Sequence, residues 1–235
     1  MNLVLLFKDD FVNTQQVRLN DRRFTHIKQI HKAKIGDTLA IGLLNDRTGT
    51  GLITLIDNTS VTMNITLNTA PPSPLPLTLV LALPRPNMLK RSLQTCATMG
   101  VKKIILLHSA RVEKSFWQTP QLSDDNIHMN LVLGLEQAKD TVMPEVILEK
   151  NFKYFLQERA PALCENNLAL VAHPKADSTC PRHLNEETIL FVGPEGGFID
   201  KEIEELKEIG CKSIHLGERI LRVETAIPVL LAKLF

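Results

Sequence analysis

Apolar positions follow two different rhythms along the chain, and the change comes near residue 72. Before it, residues 3–7 (LVLLF), 38–44 (TLAIGLL), 51–57 (GLITLID) and 61–67 (VTMNITL) are short apolar stretches separated by turn residues, and each predicts a strand. A short helix over residues 21–31 lies among them. So many short strands in so little chain predict a small barrel, which removes exposed edges by closing the sheet on itself. The stretch "NTAPPSPLPLTL" then concentrates Pro71, Pro72, Pro74 and Pro76. Proline lacks the amide hydrogen and stiffens the chain, so this segment predicts a linker between domains 1–72 and 73–235.

Beyond the linker, near-continuous apolar runs alternate with helical periodicity. Residues 77–83 and 101–107 predict strands, and 168–172 and 188–192 are near-continuous apolar runs of the kind required by a sheet covered on both faces. Between them, Leu89, Leu93, Cys96 and Ala97 share one helix face that Gly100 terminates. A second helix over 124–138 stacks Ile127, Leu131, Leu135 and Ala138, and a weaker one covers 152–160. Near the end, Asp200 is expected to cap a helix that turns Ile203, Leu206 and Ile209 inward, "KSIHLG" makes a last strand, and a closing helix tolerates Pro228 in about its first turn. The fold class is therefore α/β, with a mostly parallel sheet in the larger domain.

Charge and composition narrow the partners. The chain has 235 residues with 44% hydrophobic and 23% charged content, which is ordinary for a soluble protein, and no apolar run reaches membrane-span length. The start "MNLVLLFKDD" lacks the basic region and cleavage site of a signal peptide, so a cytoplasmic location is expected, with no membrane partner. Cys96, Cys164, Cys180 and Cys211 have no paired spacing and the histidines no ligand spacing, so buried thiols and no metal are expected. Net charge is only +1, yet Arg18, Arg22, Arg23, His26, Lys28, Lys32 and Lys34 crowd one stretch, and Arg85, Lys90 and Arg91 open another. Such stretches on a near-neutral chain suit either a nucleic-acid binder or a solvated helix face.

Two stretches carry candidate chemistry. In "FVGPEGGF", Gly193, Pro194, Glu195, Gly196 and Gly197 follow a strand, where ligands of parallel sheets bind. Neither a P-loop nor a dinucleotide glycine pattern is present, and Glu195 would repel a phosphate. A ligand with a cationic centre, or an adenosine held by backbone groups, fits better than a phosphate. A tight strand-to-helix turn is the plainer alternative. In "HLGERILRVETA", Arg222, Glu224 and Thr225 are interleaved with Ile220, Leu221 and Val223, a mixture that can build an apolar wall with a few directed polar groups.

Taken together, "FVGPEGGF" and "LGERILRVETA" resemble the RsmE family, SPOUT-class methyltransferases acting on N3 of a uridine in small-subunit (16S) ribosomal RNA. "RRFTHIKQIHKAKIGD", "MLKRSLQTCATMGVKKIILLHSARV" and, in part, "EQAKDTVMPEV" are similar to further family segments. The resemblance implies a PUA-like N-terminal barrel, a C-terminal SPOUT domain tied in a deep trefoil knot, a homodimer, and S-adenosylmethionine as cofactor. It implies that Gly193, Pro194, Gly196 and Gly197 close on the methionine part and ribose, and that Leu216, Gly217, Ile220, Leu221 and Ala226 enclose adenine. His173, Arg222 and Thr225 complete the cofactor set, Arg222, Glu195 and Glu224 are the catalytic candidates, and the two basic stretches hold the RNA.

The chain departs from the family pattern at Thr98, where an acidic residue is usual, at Lys139 and Asp140, commonly Gly-Arg, and at Lys32, usually Arg. Two rival readings are another SPOUT-class methyltransferase, acting on a different RNA base or on a ribose 2′-OH, and a non-catalytic RNA-binding assembly factor.

Overall fold

The computed structural model describes residues 2–235, which divide into two compact units. The first comprises residues 2–73 together with Val132–Met143, and the second Pro74–Leu131 with Pro144–Phe235.

In the first unit the strands are β1 (Val4–Leu6), β2 (Phe11–Asn13), β3 (Gln16–Leu19), β4 (Thr38–Leu43), β5 (Thr48–Ile56) and β6 (Val61–Thr69), with helix α1 (Arg22–Gln29) between β3 and β4. They form one sheet in the order β1-β4-β5-β6-β3-β2, antiparallel except where β1 runs parallel to β4. Alternation along the strands sends Ile41, Ile53, Val61, Met63 and Val17 into one core, against Phe24 and Ile27 of α1. Asp21 caps α1 by accepting the Arg23 amide at 2.8 Å.

The interior of this unit is also where a basic residue leaves the surface. Arg23 is 4% exposed, and all five of its guanidinium N–H groups find acceptors. Nε and Nη2 meet Asp21, Nη1 and Nη2 grip Asp10 at 2.6 and 2.7 Å, and Nη1 also reaches the Leu5 carbonyl at 2.7 Å. Its assignment to RNA is therefore corrected: a saturated, buried guanidinium has no donor left for a phosphate. Arg23→Ala would leave the Asp10 carboxylate, 11% exposed, without its partner. The expected cost is about 3 kcal/mol of stability, read as a lower urea midpoint at unchanged slope.

The second unit contains β7 (Leu77–Ala82), helix α2 (Pro86–Thr98), β8 (Lys103–Leu107), helix α3 (Asp124–Ala138), β9 (Glu145–Glu149) and β10 (Leu168–Ala172). From Val132 onward α3 belongs to the first unit. Between β9 and β10, α4 (Phe152–Tyr154) and α5 (Ala160–Cys164) flank a π-helical turn at Phe155–Arg159, so the helix expected over 152–160 runs further and is wider in its middle. The last elements are β11 (Ser178–Thr179), β12 (Thr188–Val192), helix α6 (Asp200–Glu208), β13 (Lys212–His215) and helix α7 (Val223–Leu234).

Among the described residues seven strands form this sheet, in the order β11-β13-β10-β12-β7-β8-β9, every neighbouring pair parallel. β12 is inserted between β7 and β10, both earlier in the chain, and it is buried along its whole length. Two local expectations change. Asp200 begins α6 rather than capping it, and the cap amide of Ile199 is taken by Glu202 Oε2 at 3.0 Å. Pro228 lies inside α7, past its first turn, where the missing amide frees the Glu224 carbonyl. All four cysteines are buried free thiols, and burial pushes Cys96 up to about 12, which keeps it protonated and unreactive.

Candidate active site

Strand register brings the site together. Ala172 pairs with both Val192 and Ile214, so β10, β12 and β13 end side by side and the loops that leave them converge. They enclose a cavity of about 360 Å³. Gly193, Pro194, Gly196 and Gly197 form one wall, and Leu216, Gly217, Ile220, Leu221 and Ala226 form another. His173 stands at the end of β10, held by its amide to the Ile214 carbonyl at 2.9 Å.

The glycine loop needs its glycines for different reasons. A Cβ on Gly193 would sit 2.9 Å from the Phe198 amide nitrogen and 3.1 Å from Gly197 backbone atoms, whereas Gly197 has φ +71 and open space around it. The Pro194 carbonyl closes the turn by accepting the Gly197 amide at 2.7 Å. Arg111, early in the loop leaving β8, donates to the Gly196 carbonyl, and the neighbouring Ala110 amide is held by the buried Glu202 at 2.7 Å. The opposite wall carries Ile220, which is 81% exposed at the cavity. A large apolar side chain left open there suits an apolar ligand face. Burial lowers the pKa of His173 below the ordinary imidazole value, with Asp200 opposing and Lys175 and Lys207 adding to the shift. Its ring is therefore neutral near pH 7 and can donate at one nitrogen and accept at the other.

A second concavity, of about 720 Å³, adjoins this cavity through Glu195, which lines both. Arg222 and Glu224, at the start of α7, face it together with Arg85, Pro86, Asn87, Met88, Glu113 and Phe116. Glu195 Oε1 accepts the Arg85 amide at 3.0 Å, which ties the glycine loop to the start of α2. Among the described residues no ion pair joins Arg222 to Glu224. Of the residues named for the cofactor, Arg222 belongs to the second concavity alone, and Thr225 lies on the exposed side of α7 and lines neither.

A family model described as an RNA methyltransferase domain matches residues 71–234. The ribosomal RNA small subunit methyltransferase E of Treponema pallidum is 27% identical over 232 residues, covering 96% of this chain and 87% of its own. That of Buchnera aphidicola is 30% identical over 227 residues, covering 92% and 89%. The chain belongs to the ribosomal RNA small subunit methyltransferase E family. The solved enzyme of that name from Neisseria gonorrhoeae, bound to S-adenosyl methionine, superposes with a TM-score of 0.74 at 20% identity, over 98% of this chain and 95% of the other, and shares its fold.

Within this chain the basic residues divide by what already holds them. Arg22 makes a two-pronged contact with the buried Glu136 at 2.9 and 3.0 Å, so much of its charge is committed inside the first unit. Arg18 bonds Ser60 at 3.0 Å but keeps 57% of its side chain exposed, and Lys28 reaches the Asp57 carbonyl at 3.0 Å. The rings of His26 and His31 meet edge to face at 4.9 Å. Lys32 and Lys34 are exposed, as are Arg85, Lys90 and Arg91 on α2 and its cap.

Two of the departures from the family pattern, at Lys139 and Asp140, have local structural reasons. Lys139 has φ +58 just past α3, the conformation that makes glycine common at that position. Asp140 is buried and accepts the Val142 amide at 2.9 Å, so it serves the turn rather than the surface.

Sequence reasoning missed Arg111, Asn87, Met88, Glu113 and Phe116 as site residues. Only the rule that ligands sit beyond parallel strand ends could have drawn attention to the loop after β8.

Proposed function

We propose that this protein methylates N3 of a uridine in small-subunit ribosomal RNA, using S-adenosylmethionine. The observation that carries the reading is the shared wall: Glu195 joins a glycine-lined, partly apolar cavity to a concavity presenting an arginine and a carboxylate. The residues present fit the cofactor. Gly193, Gly196 and Gly197 line the cavity with bare backbone, Leu216, Ile220 and Leu221 offer an apolar wall to adenine, and neutral His173 offers a donor and an acceptor. When bound, the cofactor supplies a methyl group on a sulfonium sulfur.

The chain's own residues then have two tasks. Uridine N3 carries a proton at neutral pH, so it attacks only as that proton leaves. Arg222, permanently cationic, stabilises the negative charge that develops over the O2–N3–O4 edge. Glu224 accepts the proton. Glu195 is the weaker candidate because its Oε1 already accepts the Arg85 amide, whereas Glu224 has no such bond among the described residues. Gain of a methyl at N3 would be balanced by loss of the N3 proton, which would pass to Glu224 and on to solvent.

Further parts of the reading have their own support. A boundary near residue 72 is supported by the proline run, and a PUA-like barrel by the bulged, mostly antiparallel sheet of the first unit. A trefoil knot is supported by the insertion of β12 between two earlier strands. Homodimerisation rests on the resemblance alone, and a cytoplasmic site of action is supported by the ribosomal RNA substrate of the family. No helix among the described residues is long and apolar enough to cross a membrane.

The test is transfer of labelled methyl from S-adenosylmethionine to small ribosomal subunits lacking the modification, with naked ribosomal RNA alongside and the product nucleoside identified by mass spectrometry. 3-Methyluridine is expected; label on a ribose 2′-OH or on another base would replace the reading. In the same assay Glu224→Gln is expected to lose roughly 10²-fold in rate near neutral pH. That loss should shrink as pH rises and the uridine ionises without help. Glu195→Gln should show no such pH-dependent recovery.

A further inference from the structure

We propose that the second concavity seats the target pyrimidine ring, with Phe116 as the flat face on which it stacks and Trp117 as the anchor that fixes that face. This rests on the reading of the protein as an RNA methyltransferase and adds the subsite that would hold the base. A pyrimidine has two apolar faces and a polar edge, so its seat needs a flat partner and charged or amide groups around the rim. Phe116 is the one aromatic side chain lining the concavity among the described residues, and Arg222 and Glu224 supply polar groups there.

The local structure argues for a built platform rather than a stray surface residue. Phe116 sits in a 3₁₀ turn, Lys114–Gln118, that opens with its amide donating to the Glu113 carbonyl at 3.0 Å. Next in the chain, Trp117 is fastened: its indole N–H donates to His108 Nδ1 at 2.8 Å, and the Lys150 ammonium lies 5.8 Å from its ring centroid. Earlier in the loop, the contacts of Ala110 with Glu202 and of Arg111 with Gly196 hold the segment to the rest of the site. The turn is pinned at both ends while Phe116 stays half-buried, unlike Phe155, Phe191 and Phe198, which are fully enclosed in the core. Such preorganisation spares a bound base the cost of ordering its partner. The route to the seat passes Arg85, with Lys90 and Arg91 further along α2, where phosphates flanking a flipped base find exposed cations.

The experiment compares wild type, Phe116→Leu and Phe116→Tyr as full chains, in steady-state methyl transfer to unmodified small ribosomal subunits, with S-adenosylmethionine affinity measured separately by calorimetry. Leucine keeps apolar bulk and removes the π face; tyrosine keeps the ring. Expected is a fall in kcat/KM for the subunit of roughly tenfold or more for Phe116→Leu, near-wild-type behaviour for Phe116→Tyr, and unchanged cofactor affinity in both. Leucine matching wild type would overturn the stacking role, and so would equal defects in the two variants, which would mark a packing role instead. No transfer by the wild type to subunits or naked RNA would overturn the RNA reading and this seat with it, a result distinct from a defect confined to the variants.

Discussion

Arg222→Ala is expected to lower the rate of methyl transfer by about 10²–10³-fold while S-adenosylmethionine still binds. The backbone around Arg222 is fixed by the helix it caps, since its carbonyl accepts the Thr225 and Ala226 amides at 2.9 and 2.7 Å. Substitution therefore removes the guanidinium without moving α7. That guanidinium has no acceptor among the described residues and faces the second concavity, not the glycine-lined cavity, so cofactor affinity should be untouched. Arg222→Lys should recover only part of the rate, because a strongly hydrated point charge lacks the directed donors of a planar guanidinium. Single-turnover transfer with enzyme in excess, beside calorimetric titration of the cofactor, separates the two quantities. A rate equal to wild type would remove Arg222 from the mechanism.

The strands at the centre of the parallel sheet were legible because both of their faces are covered. Residues 77–83 and 188–192 read as near-continuous apolar runs, and β7 and β12 lie there. Short, mixed strands gave weaker signals: β11 is Ser178–Thr179, and β2 and its neighbour β3 mix polar and apolar residues, so pairing rather than composition makes them strands. The insertion of β12 between β7 and β10 is a long-range fact with no local signature.

The same division runs through the site. Glycines after a strand announce a loop that something approaches, and Gly193, Gly196 and Gly197 were found that way. Arg23 looked like its basic neighbours, because nothing local says that Asp10 and the Leu5 carbonyl will close over it. Phe116 stands in "VEKSFWQTP", where one aromatic pair among polar residues has no period to report its facing. Its significance comes only from the fold, which turns the loop after β8 toward the start of α7.

Gly193→Ala is expected to weaken S-adenosylmethionine binding by about a hundredfold or more, roughly 2.7 kcal/mol, with the sheet intact. The added Cβ would meet backbone atoms on the far side of the loop, the Phe198 nitrogen at 2.9 Å and the Gly197 Cα at 3.1 Å, and backbone cannot rotate away as a side chain can. Relief requires opening the turn that the Pro194 carbonyl and Gly197 amide close at 2.7 Å, which is the cavity wall itself. Gly196→Ala is the control: its nearest neighbour would be Arg111 Cδ at 3.0 Å, the flexible part of a side chain, so a small shift suffices. Gly197→Ala should fall between, since it meets no atom within 4 Å but must hold φ +71, a strain of about 1–2 kcal/mol for a residue with a Cβ. Calorimetric titration of the three variants gives the order, and thermal unfolding with and without cofactor checks it. A ligand that binds only the folded form raises the transition temperature in proportion to its grip. Gly193→Ala should show the smallest rise of the three; an unfolding temperature without cofactor close to wild type would then locate the damage in the loop, and a large drop would locate it in β12.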